Sequence, residues 1–170
     1  MSSRPHLTSP AETDGPEDTA VVAGWREWVG LPDHGVEWIK AKLDTGARSS
    51  ALHAFDLEIV ERDGTRWARF EIHPWQGSTE DAVRVELPVH DERVVRSSSG
   101  HEQHRYVVRM AIRLHGRTVT TDVTLTRRDE MGFRMLIGRD ALRQGFLVDS
   151  GHSYLGGRPR RVVRRKNRGR

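Results

Sequence analysis

The chain has 170 residues, 35% hydrophobic and 31% charged, with a net charge of +4 and no cysteine. That suits one domain with a modest core and excludes disulfides, thiolate metal sites and a cysteine nucleophile. No window approaches the roughly 18 consecutive apolar residues of a membrane-spanning helix, and Met1-Ser2-Ser3-Arg4-Pro5 lacks the apolar stretch of a secretory signal. The expectation is a cytoplasmic protein with no membrane partner.

The charge is unevenly spread. Residues 1–20 hold Glu12, Asp14, Glu17 and Asp18 against Arg4, amid Ser, Pro, Thr and Gly, and are expected to be disordered. Residues 158–170 hold seven arginines and Lys166 with no acid. Such a block is expected to form a disordered basic tail that touches nucleic acid or the ribosome non-specifically, through phosphate. Order is expected over 21–157.

In chain order, 24–31 reads as a first strand and 36–43 as a second, with Val36, Trp38, Ile39 and Leu43 apolar. Residues 55–61 and 66–72 form a hairpin around Asp63-Gly64, a strong turn dipeptide. Val83, Val85, Leu87 and Val89 alternate with Arg84, Glu86 and Pro88, so one face is buried and the proline marks an edge or a strand end. Residues 93–96 lead into a polar loop, Ser97-Ser98-Ser99-Gly100. A second hairpin, 106–114 with 118–126, turns over His115-Gly116. A late strand at 133–137 is followed by a short helix at 140–144, stopped by Gly145, and by 146–148. Many short strands with one short C-terminal helix predict an all-β barrel.

Two segments carry chemistry. Leu43-Asp44-Thr45-Gly46-Ala47 is an apolar strand ending in a carboxylate, a hydroxyl and a glycine. Met135-Leu136-Ile137-Gly138-Arg139-Asp140 is an apolar run ending in Gly-Arg. In this order, with β-rich sequence between, they predict half of a two-carboxylate site. Two carboxylates about 3 Å apart cannot both ionise, so they share one proton; one then activates water while the other polarises a carbonyl. The glycine lets backbone N–H groups approach the acid. One Asp-Thr-Gly per chain calls for a homodimer, in which a two-fold axis supplies the second acid. The terminal strands at 25–29 and 146–148 are the predicted dimer sheet.

The segment Val36-Glu37-Trp38-Ile39-Lys40-Ala41-Lys42-Leu43-Asp44-Thr45-Gly46-Ala47 resembles the catalytic strand and loop of retropepsins, and Leu136-Ile137-Gly138-Arg139-Asp140-Ala141-Leu142 their late strand, Gly-Arg turn and short helix. Residues 95–105 fall where that fold has its flap, and 56–90 form a larger insertion than viral enzymes carry. A narrower resemblance runs through Lys42-Leu43-Asp44-Thr45-Gly46-Ala47-Arg48-Ser49-Ser50-Ala51-Leu52-His53-Ala54, with Val95-Arg96-Ser97-Ser98 and Arg105-Tyr106-Val107-Val108. It is to the bacterial retropepsin-like family linked to RimK-type glutamate ligases and labelled "ATP-dependent zinc protease". The resemblance implies a retropepsin-like β domain over 21–157 and an aspartic-type endopeptidase. Asp44, Thr45 and Gly46 would be its catalytic residues, and Gly138, Arg139 and Asp140 their structural support. It also implies association with a RimK-type ligase and a glutamylated or otherwise acidic protein as substrate.

Retropepsins usually carry an acid after Asp-Thr-Gly-Ala, paired with the arginine of the Gly-Arg turn; here that position is Arg48. Arg48 is expected to pair with Asp140 or Asp149, or else to hold a substrate carboxylate. Ser97, Ser98, Ser99, Gly100 and Arg105 complete the predicted substrate-binding set. No cofactor is expected. His101-Glu102-Gln103-His104 lacks the i, i+4 spacing of a helical zinc site, and no phosphate-binding glycine loop is present. Two rivals remain: a non-catalytic peptide-binding adaptor and a metal-dependent peptidase.

Overall fold

A computed structural model describes residues 19–96, 99–127 and 132–167. The acidic segment up to residue 18, Ser97, Ser98 and residues 168–170 lie outside the described residues.

The strands are β1 (Val21–Gly24), β2 (Arg26–Leu31), β3 (Val36–Leu43), β4 (Ser50–His53), β5 (Phe55–Arg62), β6 (Thr65–Ile72), β7 (Val83–Pro88), β8 (Asp91–Arg96), β9 (Glu102–Leu114), β10 (Arg117–Thr126), β11 (Met135–Ile137) and β12 (Phe146–Asp149). Seven of them form one sheet in the order β10-β4-β11-β3-β2-β9-β8. β9 also pairs with β10, which closes the sheet into a barrel. The long β9 makes this possible: its first half pairs with β8 and its second half with β10. Alternation points Ile39, Ala41 and Leu43 of β3, Leu52 of β4, Met110 and Ile112 of β9, and Met135 and Ile137 of β11 into the interior. The all-β expectation therefore holds. Among the described residues, helix is limited to a 3-10 turn at Pro32–His34, α1 (Arg139–Leu142) and, beyond the one helix expected, a further turn α2 (Arg161–Arg164).

The hairpin turns follow their sequence. Asp63-Gly64 and His115-Gly116 all have positive φ, the geometry that matches the twist of the flanking strands. The insertion at 56–90 forms its own antiparallel sheet, β5-β6-β7, with Pro88 ending an edge strand.

The expected dimer strand at 25–29 is not an edge. β2 lies between β3 and β9 and is almost wholly buried, because its apolar residues fill the barrel wall. The free sheet is β1 paired in parallel with β12. There Val22 and Leu147 stand in register, 47% and 59% exposed.

β2 also carries a fully buried acid, Glu27. Its Oε1 accepts the N–H groups of Gly24 and Leu155 at 2.8 Å, its Oε2 accepts that of Gly156 at 3.2 Å, and His115 Nε2 lies 3.1 Å from Oε1. One side chain thus ties the end of β1 to the 155–156 loop, with His115 of the β9–β10 turn packed beside it. Glu27→Ala strips partners from buried donors and is expected to destabilise the fold by about 3–5 kcal/mol. Urea unfolding measures this; a change below about 1 kcal/mol would refute the lock.

The basic tail, expected to be disordered, is docked as far as it is described. Pro159 is buried, and Asn167, 5% exposed, accepts the Gln76 N–H at 2.5 Å. Lys166 Nζ lies 2.7 Å from Asp81 Oδ2, which also accepts the Trp75 indole N–H at 2.8 Å. Specific anchors override the charge repulsion that predicted disorder. Asp81 is held below the usual aspartate range, first by the Lys166 hydrogen bond and then by that of Trp75, while Lys166 is raised by Asp81. The depressed acid contributes above its unfolded pKa, near 4, and loses that contribution as pH falls through its folded value. The raised amine contributes below its unfolded pKa, roughly 10.4, and loses that as pH rises through its folded value. Exchange of the Gln76 amide should therefore accelerate in acid below the aspartate range, and at neutral pH in Asp81→Asn. Unchanged exchange in that variant would show that the tail is held elsewhere.

Candidate active site

Asp44 is the first residue past β3. Its N–H donates to Ile137 O at 2.8 Å, extending the β3–β11 ladder by one rung. Since Leu43 points inward, alternation turns Asp44 to the opposite face with Lys42 and Leu136. Asp44 is half-buried, while Thr45 and Gly46 are exposed. The Gly46 N–H donates to Asp44 Oδ1 at 2.8 Å, so a short turn orients the carboxyl group.

The second motif passes directly beneath this loop. A Cβ on Gly138 would stand 2.5 Å from Ser49 O and 3.0 Å from Ala47 O, although its backbone is ordinarily extended. Glycine is required by space alone. The contact lets Arg139 N–H donate to Ala47 O at 2.8 Å and Asp140 N–H to Arg48 O at 2.9 Å. Arg139 Nη1 reaches Thr45 O and Gly46 O, both at 3.2 Å. Arg139 thus braces two backbone carbonyls, where the resemblance implied an acid as its partner.

Arg48 Nε lies 3.8 Å from Asp140 Oδ2, one of the two pairings expected for it. The Arg48 side chain is 78% exposed, so the pair contributes at most about 1 kcal/mol. Asp149 is engaged otherwise: it accepts the Gly151 N–H and His152 Nδ1, which together hold its carboxyl below the usual range.

The structure therefore brings together Asp44, Thr45, Gly46, Arg48, Gly138, Arg139 and Asp140. Ser99 and Gly100 sit exposed at the tip of the β8–β9 hairpin, and Arg105 lies on β9 opposite Arg93. Arg105 lines a cavity of about 400 Å³ with Leu57, Tyr106, Leu125 and Arg127. The sequence reading missed Ser50, which is fully buried and accepts the Gly138 N–H on Oγ at 3.1 Å. Its signal was a hydroxyl at an inward position of β4. His104 Nδ1 lies 2.8 Å from Glu92 Oε1. Among the described residues, no three His, Asp or Glu side chains are grouped to hold a metal ion.

A closed β barrel, an Asp-Thr-Gly loop and a Gly-Arg turn crossing beneath it define the retropepsin-like class. Residues 22–159 match the RimB-like family, described as retropepsin-like aspartic endopeptidase RimB, and the chain belongs to that family. It is 42% identical over 137 residues to a probable alpha-L-glutamate ligase of Shewanella pealeana, covering 81% of this chain and 30% of that protein. The corresponding protein of Desulfotalea psychrophila is 38% identical over 128 residues, covering 75% and 28%. The chain thus spans less than a third of the length of these curated relatives. A Legionella pneumophila crystal structure, of a DUF785 protein with unknown function, superposes with a TM-score of 0.65 at 27% identity. It covers 80% of this chain and 98% of that one.

Gly138→Ala should push the two loops apart and destabilise the fold by about 1–3 kcal/mol. A thermal melt equal to that of the unaltered protein would show that the loops yield without cost.

Proposed function

We propose that the protein is an aspartic-type endopeptidase acting as a homodimer, with Asp44 from each copy forming the carboxylate pair. One carboxylate takes a proton from water as the water attacks the scissile carbonyl. The other, holding the shared proton, donates it towards the carbonyl oxygen. The observation that carries this reading is the braced loop. Gly138, Arg139 and Ser50 fix the backbone around Asp44 from below, while Thr45 and Gly46 stay exposed on the side where a partner's loop would meet them. A second support is the β1–β12 sheet. Two strands alone are marginal in water, and open edges with apolar side chains invite pairing. Its Val22–Leu147 patch suits a second copy.

The substrate we propose is a glutamylated protein. The relatives' ligase names support that choice, as does the exposed Arg48 guanidinium beside the Asp44 loop. Those same relatives favour one alternative. A domain that makes up less than a third of proteins named as ligases could instead hold a glutamylated chain for the ligase without cutting it.

Incubation with a glutamylated peptide separates the two. Cleavage is expected, insensitive to chelator, and reduced about 10²–10⁴-fold in Asp44→Asn. Leu147→Asp should shift the protein to monomer in sedimentation and abolish cleavage without unfolding it. Binding with no cleavage would establish the adaptor. Full activity in Asp44→Asn would end the aspartic reading.

A further inference from the structure

The sheet face that carries Asp44 leads to a buried cation. Arg134 immediately precedes β11 and is 8% exposed. Leu136 pairs with Ala51 and Met135 with Leu52, and the His53 N–H donates to Arg134 O at 2.8 Å. Arg134 therefore stands opposite His53, on the face shared with Leu136, Ala51 and Asp44. Asp44 follows Leu43, the register partner of Ile137, so it stands beside Gly138, four residues and about 13 Å along the strand from Arg134. An extended peptide covers that distance in about four residues.

Arg134 is set in an aromatic frame. The Phe55 ring is stacked between His53, at 4.0 Å and 9°, and His73, at 3.7 Å and 7°. The Arg134 guanidinium carbon lies 4.7 Å from the Phe55 ring centre, and its Nη1 lies 3.4 Å from His53 Nδ1. An arginine only donates, so His53 Nδ1 accepts and Nε2 carries the ring proton. His73 Nε2 donates to Glu71 Oε2 at 3.1 Å. Arg134 and His73 border a cavity of about 440 Å³ whose other walls include Phe55, Ser78, Thr79 and Glu80. Ser78 Oγ accepts the Glu80 N–H at 3.1 Å, which leaves its own proton to donate.

We propose that this cavity receives the side-chain carboxylate of an acidic peptide lying along the Asp44 face, with Arg134 as the specificity-determining residue. The aromatic wall suits the methylene groups, and a planar guanidinium away from water suits the carboxylate. A phosphate would meet the same donors, but Glu80 at the exposed mouth opposes a dianion more than a single carboxylate. This inference rests on the peptidase reading only for the path of the peptide.

The test is calorimetric binding of blocked tetraglutamate and tetraglutamine peptides to the full chain carrying Asp44→Asn, so that no cleavage intervenes. Tetraglutamate should bind at least about tenfold more tightly. Arg134→Met should erase that ratio and leave tetraglutamine binding unchanged. Thr79→Trp, which fills the cavity from its exposed rim, should do the same and decides the matter if Arg134→Met does not fold. Equal affinities, or a preference that Thr79→Trp retains, would overturn the proposal. Tighter binding of a phosphoserine peptide would overturn the choice of carboxylate. Preference without cleavage by the unaltered protein would keep this subsite and remove the peptidase reading; cleavage without preference would do the reverse.

Discussion

The site depends on one close approach, the passage of Gly138 under the backbone of Ala47 and Ser49. With no Cβ in the way, three donors from the 138–140 turn reach the Asp44 loop: the N–H groups of Arg139 and Asp140, and the Arg139 guanidinium. The Ser50 hydroxyl answers the Gly138 N–H from the other side. The loop's backbone carbonyls are thereby consumed, and the carboxylate is left as the group the loop presents. Two short motifs some ninety residues apart in the chain act as one object because position 138 has no Cβ to fill the space in which their backbones meet.

That arrangement sits on a wall with its own constraint. β2 passes through the barrel between β3 and β9, and Glu27 within it gathers donors from Gly24, Leu155 and Gly156. The lock keeps the start and end of the domain together, which is where β1 and β12 pair. A buried acid thus sets the geometry of the exposed sheet proposed for dimer contact, and the same sheet precedes the strand that leads to Asp44. The stability of the fold and the placement of that sheet are coupled through one side chain.

Much of this was legible in the sequence. Asp63-Gly64 and His115-Gly116 announced their hairpins, alternation in 36–43 announced β3, and Asp44-Thr45-Gly46 and Gly138-Arg139 stood out as the two turns that the fold brings together, because each signal is local. The partners of Arg139 were not legible, since backbone carbonyls carry no residue identity. The burial of β2 escaped because an apolar strand reads alike in a barrel wall or at a dimer edge. The docked tail escaped because counting charges says nothing of the burial of Pro159 or of the contacts made by Lys166 and Asn167. Arg134 escaped because its place opposite His53 arises from strand pairing.

The charge at position 48 follows from the same geometry. In the retropepsin pattern an acid there neutralises the arginine of the Gly-Arg turn. Here Thr45 and Gly46 carbonyls receive that arginine, so the position needs no acid. It holds a cation that is largely in water, with Asp140 only loosely opposed. The loop around Asp44 therefore carries more positive charge than the pattern it departs from. A positive field beside the Asp44 loop draws anionic chains towards it and raises their local concentration. The buried Arg134 on the same face adds a second cation that solvent screens less. Arginine at this position is compatible with the fold because backbone carbonyls receive Arg139, which leaves the Arg48 guanidinium largely in solvent.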